Sequence, residues 1–258
     1  METGPAQQEE ELHRGRRIRR TVRLATTPDA AYDAWAEPDL IAGWFVQRAV
    51  GRAEAGARVR WIWEDFGVEE EQEVLVAERG RRLVLRAPGP DGGAQVLEVT
   101  LETDGAATLL TLVHSGFAEG EDADPTFEGT SSGWHLALGV LAHWCERYYG
   151  AARSELMVLR RVPHACAAVQ PYFGTPDGLA RWLGAAPRAG RELVRGRVES
   201  LREWEALRGT VELKAFADVP GECHVGVRVM SWGLEQAELE RLRPELEEAV
   251  ERLVALLA

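Results

Sequence analysis

One phrase of eight residues occurs twice in this chain, and its return limits the possible folds more than any other feature. Pro38-Asp39-Leu40-Ile41-Ala42-Gly43-Trp44-Phe45 comes back as Pro176-Asp177-Gly178-Leu179-Ala180-Arg181-Trp182-Leu183, with proline, aspartate and tryptophan at the same spacing. Each copy follows a run that opens on a proline after a candidate strand: Pro28 to Trp35, and Pro163 to Val169. Proline suits the first helical position, and Asp29 suits the positive end of the helix dipole. Pro38 then stops that helix, and Asp39 is placed to cap a second, short one. The two units also close alike. Leu112-Val113-His114-Ser115-Gly116-Phe117 is echoed by Val229-Met230-Ser231-Trp232-Gly233-Leu234, each leading to an apolar helix. Such a repeat reads as two related units in tandem.

Between these landmarks the first unit alternates as strands do. Arg19 to Ala25 interleaves basic and apolar groups, and Arg58 to Trp63 puts Val59, Trp61 and Trp63 on one face. Strands over 72–77, 82–87, 95–101 and 108–114 follow, with turns such as Pro88 to Gly93, which together read as an antiparallel meander. The spacing of Trp134, Leu138, Leu141, Cys145 and Tyr149 predicts a long helix over about 129–150. The second unit is shorter by about one hairpin. Its strands are expected near 156–162, 192–200, 209–216 and 223–231, ahead of a final helix over 234–258 that Pro244 kinks. The fold class is α+β: a sheet curled around a long helix, twice. The domains are a disordered tail over 1–14, a first unit over 15–153 and a reduced second unit over 154–258. No Gly/Ser spacer divides the units, so they are expected to pack together.

The residues Arg20 to Thr27, Pro28, Ala30, Ala34, Trp35, Pro38, Asp39, Trp44 and Phe45 carry a family resemblance. So do Arg82 to Leu85, Leu110 to Leu112, His114 to Phe117, and Gly133-Trp134. Over about 16–150 the chain resembles the SRPBCC (START-like, helix-grip) superfamily, in particular the subgroup homologous to the activator of a heat-shock-protein ATPase. The resemblance implies the helix-grip fold and a ligand cavity in the wedge between sheet and helix. Its motifs form the fold and say little of chemistry.

A net charge of −12 opposes binding to nucleic acid or anionic lipid. The arginines 14, 16, 17, 19, 20 and 23 are read as the solvated side of an edge-like first strand. The acidic residues Glu64, Asp65, Glu69, Glu70, Glu71 and Glu73 are read as a solvated rim. No apolar run reaches the ~18 residues of a membrane span, and the N-terminus has no secretory pattern. Three scattered cysteines, Cys145, Cys166 and Cys223, suit buried thiols in a reducing compartment, so the expected location is cytoplasmic. A zinc site at His164, Cys166, Cys223 and His224 has unusual spacings and is set aside, as is one at His135 and His143. No cofactor motif appears.

The candidate ligand-binding residues are Trp44, Trp61, Trp63, Phe66, His114, Phe117, Trp134, Leu138 and Leu141, weighed against plain core packing. So many large rings suit an aromatic or lipid-like ligand. A His114–Ser115 dyad is disfavoured because neighbours on a strand face opposite ways, and no catalytic residue is assigned. The leading function is noncatalytic binding of a small hydrophobic molecule. A co-chaperone-like interaction module and a cyclase- or hydrolase-type enzyme stay open, as does a protein partner or a second copy of the chain.

Overall fold

A computed structural model describes residues 15–89, 93–120, 124–185, 190–217 and 221–258. The expected tail over 1–14, with Arg14, lies outside them. The first unit opens with β1 (Arg16–Leu24), α1 (Pro28–Ala36) and α2 (Pro38–Ala42), followed by β2 (Arg48–Val50) and β3 (Arg58–Trp63). A 3-10 turn (Glu64–Phe66) leads into β4 (Val68–Glu78), β5 (Arg82–Pro88), β6 (Ala94–Asp104) and β7 (Ala107–Phe117). The long helix α3 spans Asp124–Arg147. Seven antiparallel strands pair in the order β1-β7-β6-β5-β4-β3-β2. β1 is an edge strand, as its arginines suggest; Arg17, Arg19 and Arg23 are exposed, and Arg23 pairs with Asp104 at 2.7 Å.

The second unit runs β8 (Ser154–Val162), a 3-10 turn (Cys166–Val169), α4 (Gln170–Phe173) and α5 (Pro176–Ala180). Then come β9 (Glu192–Arg195), β10 (Glu199–Trp204), a 3-10 turn (Glu205–Leu207), β11 (Gly209–Phe216) and β12 (Cys223–Ser231). It ends with α6 (Gln236–Leu239) and α7 (Arg243–Leu257). Five strands pair in the order β8-β12-β11-β10-β9. Each sheet begins and ends alike, so the missing hairpin is the one equivalent to β5–β6, removed from the middle of the sheet.

Contacts divide the chain into two units, and the division passes through α3. The chain up to Asp124 joins Leu141–Ala152, while Pro125–Val140 joins Arg153–Ala258. Sequence reading places one break, near 153. In the first unit Trp144 is fully buried, and the Tyr149 hydroxyl donates to the Ala30 carbonyl at 2.9 Å, tying the chain after α3 to α1. In the second unit Leu246, Ala249, Val250 and Leu253 form the buried stripe of α7. They share a core with Leu156, Val158, Val211, Leu213, Val225 and Val227. On that sheet's other face a Cβ on Gly139 would stand 2.3 Å from Val194 Cγ2 and 3.2 Å from Leu201 Cδ2. Glycine is what lets this half of α3 approach.

Several local expectations need correction. Asp39 sits in the first turn of α2; the N-cap is Glu37, whose side chain makes no capping bond. Pro244 does not kink one helix but starts α7 after α6 has ended in a 3-10 turn, because proline's missing N–H costs nothing at a helix start. The segment 192–200 is two strands, since Gly196 donates its N–H to the Glu199 carbonyl and closes a tight turn. Cys166 and Cys223 are a disulfide, with Cα atoms 5.2 Å apart, instead of buried thiols. The register of β8 against β12 sets Val162 opposite Cys223, and the chain turns back to bring Cys166 alongside. His224 stacks on Phe216 with centroids 5.0 Å apart. Among the described residues no helix is long and apolar enough to cross a membrane.

Candidate functional site

The repeated phrase positions the site by a hydrogen bond. The Trp44 indole N–H donates to the Ala34 carbonyl at 2.9 Å, and Trp182 donates to the Tyr172 carbonyl at 3.1 Å. In both copies the tryptophan reaches ten residues back and clasps the preceding helix. Trp44 is 1% exposed, and its ring meets Trp35 edge-on at 4.8 Å. It is therefore the back of the site, while its neighbour Phe45 is the face. The Phe45 ring stands edge-on to Trp61 at 5.4 Å and to Trp63 at 5.5 Å, and those two lie 6.3 Å apart. Trp61 is buried, Phe45 and Trp63 half-buried. Just beyond Trp63, Phe66 is 46% exposed and Val68 48%, so the ring cluster ends in an apolar rim.

Cross-strand register defines the inner face that these rings occupy. Val59, Trp61 and Trp63 pair with Gln72, Glu70 and Val68 on β4. Farther along, Val74, Leu85, Leu97, His114 and Ile18 form one row across the sheet. The face is apolar apart from a few groups. Glu70 was expected on a solvated rim, but alternation turns it inward with Gln72, and burial raises its carboxyl pKa. A hydrogen bond from Gln72 partly offsets that rise. Gln72 itself is 4% exposed.

His114 lies elsewhere on this face. Burial pushes its imidazole down to about 4, so the ring is neutral at pH 7. Gly116, at φ +86°, sits where the register of β7 against β1 slips by one residue. That bulge resets the alternation and turns Phe117 to the side of His114, with ring centroids 4.7 Å apart. Ser115 points the other way and donates to the Val96 carbonyl at 3.4 Å. The closing echo is therefore one of sequence only: Ser231 faces inward, opposite Gly209. His114 and Glu70 sit on strands three spacings apart, ~14 Å along the sheet, and Glu70 lies four residues along β4 from Val74, the member of His114's row, so the two are not placed to act on one atom.

Of the other candidate residues, Leu141 is buried in the first unit, and Trp134 and Leu138 fall in the second. Phe45, Glu70 and Gln72 were missed. Phe45 was visible as the last residue of the repeated phrase, where the second copy has Leu183. A separate cleft of about 300 Å³ is lined by Tyr32, Asp33, Glu37, Arg52 and Arg79. Its arginines are already neutralised: Arg79 pairs with Asp33 at 2.7 Å, and Arg52 with Glu37.

Residues 25–146, just under half of the chain, match the family described as Activator of Hsp90 ATPase homolog 1-like protein. Over the first unit the fold is thus the AHSA-type helix grip. Protein MLL2253 from Mesorhizobium loti is a similar solved structure at 22% identity and TM-score 0.47, covering 52% of this chain and 98% of that one. The Aha1 dimer from Colwellia psychrerythraea is 18% identical at TM-score 0.46, covering 51% and 97%. DynU16, of the dynemicin biosynthetic locus, is 18% identical at TM-score 0.46, covering 95% and 100%. No curated protein sequence matches.

Proposed function

We propose that the first unit, an AHSA-type helix grip, binds a small aromatic or otherwise hydrophobic molecule on its inner sheet face, without catalysis. The observation that supports this best is the cluster of Phe45, Trp61 and Trp63, graded from buried to half-buried, and ending at exposed Phe66 and Val68. A ring cluster serving only as core has no reason to open onto solvent through further apolar side chains. A planar ligand that stacks there buries a ring, a gain on the order of 2 kcal/mol per ring. The noncatalytic reading rests on the ionisable groups. With a pKa near 4, His114 is a weak base at neutral pH, and Glu70 is out of its reach.

Quenching of tryptophan fluorescence by 2-methylnaphthalene tests the reading. Saturable quenching is expected, weakened at least about fivefold by Trp63→Ala in a variant whose circular dichroism matches the wild type. No saturable binding, or binding indifferent to Trp63→Ala, rules the site out.

A further inference from the structure

Resting on that reading, we propose that the ligand is a neutral aromatic hydroxy compound, whose hydroxyl donates a hydrogen bond to the side-chain oxygen of Gln72. Gln72 lies on β4 with Glu70 and Val74 on its own strand and Val59 opposite. Its amide nitrogen side is engaged by Glu70, which fixes the direction of the amide. The oxygen, Oε1, is buried and has no hydrogen-bond partner among the described residues. A buried acceptor left unmet forfeits the hydrogen bond it would make to water, so the position requires a reason.

The fold does not supply that reason. Trp63-Glu64 and Trp204-Glu205 begin the same 3-10 turn in the two sheets, and the turns end at Gly67 and Arg208. Counting from those residues, Glu70 and Gln72 correspond to Val211 and Leu213, both fully buried in an aliphatic core. The same architecture is therefore built without polar groups at these two positions. In the first sheet Gln72 pairs with Val59, one inward-facing step along β3 from Trp61 in the ring cluster, whose other end, past Trp63, is the exposed rim.

The chemistry selects one class of ligand. An acceptor at the end of a ring-lined surface favours a donor, and a hydroxyl on a flat ring supplies both donor and stacking face. An aromatic carboxylate would set its charge against the amide oxygen and the Glu70 carboxylate, and is disfavoured relative to the hydroxy compound.

The test compares 2-naphthol, 2-methylnaphthalene and 2-naphthoate by tryptophan quenching in the wild type and in Gln72→Met, which keeps the volume and removes the acceptor. In the wild type 2-naphthol is expected to bind more tightly than 2-methylnaphthalene, although the methyl compound leaves water more readily, and 2-naphthoate least. In Gln72→Met the ratio of the first two affinities should fall about tenfold, with 2-methylnaphthalene held as well as before. A wild type that takes the first two equally, as it would if an ordered water met the oxygen, overturns the inference, as does a preference that survives Gln72→Met. Both outcomes leave the aromatic site standing, whereas binding of none of the three compounds removes the site itself. If Gln72→Met does not fold, the wild-type order decides alone: 2-naphthol no tighter than 2-methylnaphthalene overturns the proposal.

Discussion

The two sheets of this chain start from the same plan and finish it differently. Both open with an edge strand, pass through a helix clasped by a tryptophan, and turn at a Trp-Glu step into the next strand. The first then adds the β5–β6 hairpin and sets Glu70, Gln72 and a half-buried Trp63 on its inner face. The second omits the hairpin, and Val211 and Leu213 sit where the polar pair was, in a core shared with the stripe of α7. It also adds a covalent tie, Cys166 to Cys223. The contrast separates what the architecture demands from what has been added to it. The clasp and the turn are demanded, because both sheets keep them; the polar pair and the open rim are added, because one sheet does without them.

The comparison breaks most readily at the disulfide. Its cysteines lie 57 positions apart, and closing a loop of that length stabilises a fold by about 4 kcal/mol in the chain-entropy account. Cys166→Ser is expected to lower the unfolding free energy of the second unit by that order, and leave the first unit's transition in place. If both transitions move together, the two units are not separate in stability.

Exchanging the inner-face residues sharpens it. Leu213→Gln places an amide in a filled aliphatic core and should cost about 3 kcal/mol in chemical denaturation. Gln72→Leu should cost less than about 1 kcal/mol or even stabilise, since it removes an unmet acceptor. Equal losses at the two sites would show that Gln72 is an ordinary structural residue.

The smallest effect concerns the shared turn. Gly67, at φ +61°, ends it in the first sheet, and Arg208, at φ +48°, ends it in the second. Among the described residues Arg208 is the one non-glycine residue with positive φ. Arg208→Gly should therefore stabilise the second unit by about 0.5–1 kcal/mol in the same assay. A loss would mean that the arginine side chain contributes more than its backbone strain costs.

These differences were unequally legible in the sequence. The repeated phrase was legible because local chemistry fixes it: a proline at a helix start and an indole that must reach a carbonyl ten residues back. Glu70 and Gln72 were hidden in the acidic run from Glu69 to Glu73, where composition suggests a solvated rim; only the register of β4 against β3 shows that alternate members turn inward. The disulfide was hidden for a related reason. It depends on β8 pairing with β12, a long-range register that the spacing of three scattered cysteines does not carry. With the disulfide formed, the cysteine count no longer argues for a reducing compartment. The role of α3 was legible only in part, since helical periodicity reveals an apolar stripe and not which sheet receives it.

That helix has a consequence for how such a protein can be inherited. A gene cut at the obvious seam, between codons 152 and 153, would hand the second sheet to a descendant without residues 125–140, the segment whose Gly139 lies against Val194 and Leu201. The apolar patch left bare would make that half a poor solitary product. The two repeats, though alike in plan, therefore do not part at a point between codons, and an excision of the second must carry residues 125–140 or replace them.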